Sequence, residues 1–206
     1  MGIEDRRERE REELRRKILD AAAELFAREG VKQVSMRRIA RRIEYSPTTI
    51  YSHFANKAEL VRRLSDDVFA RLIERLERET KEATDPLDGL IRGCRAYIRF
   101  GLEYPDFYIV TFVESGGNRV DGPEIEFEGS TGQQAFQCLE TAVKNAMESG
   151  QIPRDRNAKT VACLCWAAMH GLTAVLISRR RFPWSDQEQL IEGMLRSALP
   201  QRIAPS

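Results

Sequence analysis

Three helix starts fall within the single stretch Ser35 to Lys57, SMRRIARRIEYSPTTIYSHFANK, and their close spacing constrains the fold more than any other part of the chain. Ser35 is placed to cap a helix, its hydroxyl accepting one of the backbone N–H groups that a first turn leaves unpaired. Ile39, Ala40 and Ile43 give that helix one apolar face, and Arg37, Arg38, Arg41 and Arg42 project elsewhere. Ser46-Pro47 joins a second capping hydroxyl to a proline at the first helical position, where a missing N–H does no harm. Ile50, Tyr51 and Phe54 then supply apolar contacts and leave Thr48, Thr49, Ser52 and His53 for other work. Asn56 to Glu59 has the spacing of a capping box, so a longer helix begins at Lys57. Upstream, Ile18, Ala21, Ala22, Leu25 and Phe26 recur at helical spacing until Gly30 stops that helix.

Two short helices joined by a tight turn form a helix-turn-helix, whose second helix can enter the major groove of B-DNA. Between Arg28 and Ala58 seven Lys/Arg face only two Glu, although the whole chain has a formal net charge of +1. A basic run is often only a solvated helix face. Inside this pattern it points to phosphates, and binding that releases counterions weakens steeply with salt.

Residues 15 to 64 resemble the N-terminal domain of the tetracycline-repressor (TetR) family of one-component regulators. The resemblance rests on Leu25 to Gly30 (LFAREG), Val34 to Arg37 (VSMR), Ile39-Ala40, Thr49 to Phe54 (TIYSHF) and Asn56 to Leu60 (NKAEL). It implies that Ser35 contacts a phosphate and that Arg37 reaches a base, for which a bidentate bond to guanine O6 and N7 suits an arginine. It places Ser46, Pro47, Thr48 and Thr49 at the opening of the recognition helix and Ser52 at a variable position with short reach. It assigns Tyr51, His53 and Lys57 to the DNA backbone. Tyr51 as a mainly core residue with its hydroxyl exposed, and His53 as a plain surface residue, are the competing readings. Glu44 stands where many members have glycine in the turn, so either the turn differs or a non-glycine residue is strained there.

The rest of the chain reads as helix throughout, which makes the fold class all-α: an N-terminal three-helix helix-turn-helix domain and a larger helical domain. We expect residues 1–57 as the DNA-binding domain, with 1–14 as a charged extension, then a connecting helix over 58–83 and a ligand-binding and dimerisation domain over 84–206. The extension either prolongs the first helix, with Glu12–Arg16 and Glu13–Lys17 pairs, or frays. As a frayed arm it could carry Arg6, Arg7, Arg9 and Arg11 into a minor groove. Further helices are expected over 86–103, 104–112, 131–149, 157–180 and from Ser185 to Leu199, with an acidic loop over 114–129.

Residues 160–178 approach the length of a membrane span, but Thr160, His170, Thr173 and Ser178 interrupt them and no second span accompanies them. No membrane partner is expected. The N-terminus has no apolar h-region, so a cytoplasmic protein is expected. The four cysteines, 94, 138, 163 and 165, have no CxxC spacing and read as reduced, buried thiols, with redox sensing as the alternative.

A helix apolar nearly all round needs partners on more than one side. Leu164, Ala167, Gly171 and Ala174 form a small-residue stripe, which with Leu190, Ile191, Met194 and Leu195 of the last helix suits a four-helix homodimer interface. The Trp166-x-x-x-His170-Gly171 segment resembles the C-terminal domain of the WHG-type TetR subgroup. Eight aromatic residues crowd between Tyr97 and Phe136. The resemblance implies a small-molecule inducer site among these helices, for which Tyr97, Phe100, Tyr108, Phe112, Trp166, Met169 and His170 are the candidate lining. Plain core is the competing reading for each, His170 included. With only two histidines and no phosphate loop, G-x-S-x-G or HExxH motif, neither a catalytic residue, a metal site nor a cofactor is expected. The expected partners are a double-stranded DNA operator of near-palindromic sequence, an unidentified inducer and a second copy of the chain. The rival reading is a helical ligand-binding protein or enzyme without DNA recognition.

Overall fold

The computed structural model describes residues 2–114 and 128–199. Regular structure among them is helical: α1 (Ile3–Glu29), α2 (Met36–Arg42), α3 (Pro47–His53), α4 (Lys57–Thr80), α5 (Pro86–Glu103), α6 (Pro105–Tyr108), a π-helix (Ile109–Glu114), α7 (Thr131–Glu148), α8 (Ala158–Ser178) and α9 (Gln187–Ala198). The acidic-loop expectation falls largely on residues 115–127, outside the described residues. The stretch 104–112 is not one helix, because α6 gives way at Ile109 to wider i→i+5 turns.

Side-chain caps start these helices where the sequence places them. Ser35 accepts from Arg38 N (3.2 Å), Ser46 from Thr49 N (3.1 Å), Asn56 from Glu59 N (2.8 Å), Asp85 from Asp88 N (2.9 Å) and Asp186 from Gln189 N (2.9 Å). The Asp88 N–H bond, with help from the Gln151 side chain, holds the Asp85 carboxyl below its ordinary pKa. Each such cap contributes about 1 kcal/mol.

Contacts divide the chain into two compact units, Met1–Val68 with Asp106–Glu126 and Phe69–Pro105 with Phe127–Ser206. This differs from the division at residues 57 and 83, and the first unit's core gives the reason. Leu60, Val61 and Leu64 of α4 and Val110 of the π-helix are buried with Ile18, Phe26, Ile39, Ile50 and Phe54 in one cluster. Long-range burial, not chain position, sets the boundary. The N-terminal extension is helical from Ile3, held by Arg6–Glu10 (3.7 Å) and Glu12–Arg15 (3.4 Å) ion pairs and by Arg9 Nε donating to Asp5 O (3.1 Å).

In the second unit α5, α7, α8 and α9 pack on one another. Leu90, Tyr97, Ile98, Val143, Val161, Met169 and Ile191 fill the space between them. Arg95 bonds Glu192, and Arg99 bonds Glu188 at 2.9 Å, so α5 is tied to α9 by charge as well as by packing. These two arginines are engaged at the α5–α9 contact. α8 has the length and mean hydropathy of a membrane span, 21 residues and 1.8. Its Val161, Cys165, Met169, Thr173 and Leu176 are buried in the contacts with α5, α7 and α9.

The turn between α2 and α3 resolves the question raised by Glu44. Its φ is +61°, the one positive φ at a non-glycine residue among those described. Glu44 N donates to Arg41 O (3.3 Å) and Tyr45 N to Ala40 O (3.0 Å), the paired bonds of a Schellman motif that closes α2. The turn keeps the glycine conformation and carries the strain of a side chain.

Glu44→Gly should therefore raise stability by about 0.5–1 kcal/mol, read as the midpoint of urea unfolding, since relief of the left-handed strain exceeds the extra freedom of the unfolded chain. Val110→Ala should lower it by about 2 kcal/mol in the same experiment, because the cavity opens in the first unit's core.

Candidate nucleic-acid interface

The four arginines of α2 divide into two pairs. Arg38 grips Glu29 of α1 with two bonds, Nε to Oε2 at 2.8 Å and Nη2 to Oε1 at 2.5 Å. This pairing lowers the Glu29 pKa and raises that of Arg38. Arg42 bonds Glu24 at 2.8 Å. Both pairs clamp α2 to α1 across 9 and 18 residues of sequence. Arg37 and Arg41 are exposed and carry no ion pair among the described residues, so they are the cations of α2 available to a polyanion. Arg41 was not singled out from sequence, although its i+4 relation to Arg37 puts both on one face.

α3 shows a similar sorting of hydroxyls. Ile50 is fully buried and fixes the helix on the core. Ser46 Oγ and Thr49 Oγ1 share a hydrogen bond at 2.9 Å, and Ser52 Oγ donates to Thr49 O at 2.7 Å. Those three are satisfied locally, so Ser46 and Thr49 act first as the α3 cap and Ser52 as a back-bonded residue. Pro47 and Thr48 are exposed at the first turn. Tyr51 is 50% exposed, which removes its reading as a core residue, and Tyr45, 42% exposed in the turn, is a further hydroxyl that the sequence reading passed over. Its signal was present: a tyrosine immediately before a capping serine, off the apolar spacing of both helices.

His53 is half-buried. Its pKa is lowered by burial first and then by the nearby Arg11 and Arg15, so its imidazole is mainly neutral near pH 7 and offers an N–H, not a charge. Lys57 departs from the expected phosphate contact. Its Nζ donates to Val31 O (3.0 Å), Val34 O (3.3 Å) and Lys32 O (3.4 Å). An ammonium has three N–H groups, and all three are engaged by carbonyls between α1 and α2. In this structure Lys57 is a clamp on that loop.

In the second unit, Tyr97, Phe100 and Met169 are buried, and the Tyr97 hydroxyl lies 3.5 Å from His170 Nδ1. Burial keeps the His170 pKa below its ordinary value. The Trp166 ring centre is 5.7 Å from that of His170 and 6.4 Å from that of Phe136, with Trp166 itself 41% exposed. Tyr108 and Phe112 belong to the first unit, where their rings lie 4.8 Å apart.

The dimer candidates also divide. Leu164, Ala167 and Gly171 are exposed on α8 and Ala174 is partly so, continuing to exposed Val175 and Phe182. On α9, Leu190 and Met194 are half-buried, but Ile191 and Leu195 are buried within the chain's own second unit and are not available to a partner. Their side of α9 faces α5 and α8. Cys94 and Cys165 are buried free thiols, Cys165 with its pKa pushed up to about 11 by burial. Cys138 and Cys163 are exposed, contrary to the expectation for all four.

Residues 18–64 match the family model of bacterial regulatory proteins, tetR family, and residues 90–198 match that of the tetracyclin repressor-like C-terminal domain. Among characterised relatives, the HTH-type transcriptional regulator UidR of Escherichia coli (strain K12) is 24% identical over 185 residues, covering 82% of this chain and 85% of that protein. The HTH-type transcriptional regulator TtgR of Pseudomonas putida is 27% identical over 179 residues, 81% of each chain. The crystal structure of the transcriptional regulator FadR from Bacillus subtilis in complex with stearoyl-CoA shares the fold, with a TM-score of 0.74 at 19% identity over 89% of this chain and 96% of that one. A DNA-binding head with a free basic and hydroxyl face, the helical second unit and both family matches agree: the chain belongs to the TetR family of transcriptional regulators, and it is a regulator, not an enzyme.

Proposed function

We propose that this regulator is a cytoplasmic homodimeric repressor whose two α3 helices read a near-palindromic operator and which a small-molecule inducer releases. The observation that carries the DNA reading is the sorting of side chains on the head. Arg38, Arg42 and Lys57 are locked into the fold, while Arg37, Arg41, Thr48 and Tyr51 are left exposed on adjoining helices. Arg37 reads a base edge, Pro47, Thr48 and Thr49 lie nearest the bases, Ser35, Ser46 and Ser52 add hydroxyl oxygens whose remaining lone pairs or protons are shared with helix caps and the α3 backbone, and Tyr51 and His53 hold the DNA backbone.

The dimer reading rests on the exposed α8 stripe Leu164, Ala167, Gly171, Val175, joined by half-buried Leu190 and Met194 of α9. Two heads one turn of B-DNA apart, about 34–36 Å, bind two half-sites. The inducer reading rests on the Tyr97, Phe100, Trp166, Met169 and His170 group, apolar with a few polar tips. The stearoyl-CoA bound in the FadR complex, an apolar acyl chain on a polar carrier, supports an organic ligand with an apolar portion in a unit of this kind. α4 begins in the first unit and ends in the second, so an inducer that favours a different setting of α4 shifts the population away from the DNA-competent state. The Trp166, His170 and Gly171 spacing supports placement in the WHG-type subgroup.

Anisotropy with duplexes from upstream of its own gene tests the reading. Arg37→Ala should weaken the preferred duplex by about 1–3 kcal/mol and relax the sequence preference at one position, while Tyr51→Phe should weaken all duplexes alike. A wild-type protein with no sequence preference at moderate salt would leave the ligand-binding rival in place. Gly171→Arg tests the dimer. A Cβ there meets nothing within 4 Å, so the variant should fold as a protomer and sediment as a monomer.

A further inference from the structure

Among the described residues of α1 the first that is buried in the core of the first unit is Ile18, well beyond the charged first turns. They belong to α1, which is helical from Ile3. A helix of about 10–12 Å diameter cannot enter a minor groove about 6 Å wide, which removes the reading of Arg6, Arg7, Arg9 and Arg11 as an inserted arm. Arg6 is also paired with Glu10, and Arg9 with its own helix.

Arg7, Arg11 and Arg15 stand four residues apart and so share one helical face. That face adjoins the end of α3. The Arg15 guanidinium lies 6.0 Å from the ring centre of Phe54, and one groove is lined by Arg11, Arg15, Arg63, His53 and Phe54 together with three glutamates. Two of the glutamates are engaged: Glu12 pairs with Arg15 at 3.4 Å, and Glu59 accepts from Ala55 N at 2.8 Å with Arg63 at 4.0 Å. Arg11 is exposed and has no ion pair among the described residues. A phosphate that approaches the N–H of His53 therefore meets an uncommitted cation in the same groove, held on a helix.

We propose that Arg11, with Arg7 one turn further out, contacts DNA phosphates flanking the bases read by α3, so that the α1 extension lengthens the footprint of each head. The proposal rests on the reading of the head as DNA-binding. It assigns the extension to sequence-independent affinity: the contact goes to phosphates, which fix position and carry no base information.

The test is the salt dependence of binding by the full chain, followed by anisotropy with the preferred upstream duplex and with an unrelated duplex of equal length. Arg7→Gln/Arg11→Gln keeps helix propensity on an exposed surface, which circular dichroism should confirm. Each lost phosphate contact should reduce the slope of log K against log salt by about 0.9 and weaken binding about tenfold at 0.1 M salt, equally for both duplexes. Glu8→Gln, which removes the third glutamate of the groove, should strengthen both. Unchanged affinity and slope in the arginine variant, or weaker binding at unchanged slope, would overturn the contact. A wild type that prefers neither duplex would instead overturn the regulator reading, so the two failures are separable.

Discussion

Two seven-residue helices, α2 and α3, carry the proposed DNA-reading face, and neither is long enough to be stable alone. Isolated helices below about 12–15 residues are marginal in water. Their existence depends on the burial of Ile39, Ala40, Ile50 and Phe54 against α1 and the start of α4, all at 1% exposure or less. A fully buried isoleucine or phenylalanine contributes about 1.5–3 kcal/mol, which offsets the cost of nucleating so short a helix. The capping serines, the Schellman turn at Glu44 and the Arg38–Glu29 clamp then set the direction of helices that burial has made stable. The functional face is thus a by-product of an apolar one. The same periodicity that turns Ile50 inward turns Thr48 and Tyr51 outward.

That dependence explains what could be read from sequence and what could not. Caps and stops are local, and Ser35, Ser46, Asn56, Asp85 and Asp186 each do in the structure what their spacing indicates. What stays hidden in the sequence comes from partners far along the chain. Arg38 and Arg42 look as free as Arg37 until Glu29 and Glu24 are brought beside them. Lys57 looks like a surface cation until the carbonyls of residues 31, 32 and 34 close around it. Ile191 and Leu195 share the apolar spacing of Leu190 and Met194, and only the contacts of α9 with α5 and α8 show which pair turns inward. Val110 gives no sign in its own neighbourhood that it completes a core built mainly from residues 18–64. Periodicity tells which residues share a face; it does not tell what lies opposite.

The charge on the head follows the same logic. A chain with a net charge of +1 has almost no overall attraction for DNA, so any affinity must come from local separation of charge. Intramolecular pairing achieves that separation by subtraction. Glu24 and Glu29 of α1 are engaged by Arg42 and Arg38, which also fixes the helix; among the described residues no carboxylate pairs with the exposed Arg37 and Arg41. The acids that would otherwise repel phosphate become part of the scaffold. His53 fits this arrangement, since a neutral imidazole beside two arginines adds a directional N–H without adding to the repulsion among the cations.

A single head of this kind offers few contacts to bases, because three of its hydroxyls are bonded within α3 and the recognition helix has only two turns. Selectivity among many competing sites then has to come from multiplying weak readings. In the proposed dimer the second head acts at the effective concentration set by the first, and affinity rises without new contacts per head. The gain depends on spacing, so a device that changes spacing controls the whole interaction. In the proposed dimer the small residues of the α8 stripe would matter to DNA reading at a distance: Ala167, Gly171 and Ala174 leave room for a close approach of a second copy, and α4 joins each head covalently to the unit that carries the stripe. Larger side chains on that stripe would alter operator affinity without touching any residue of α2 or α3.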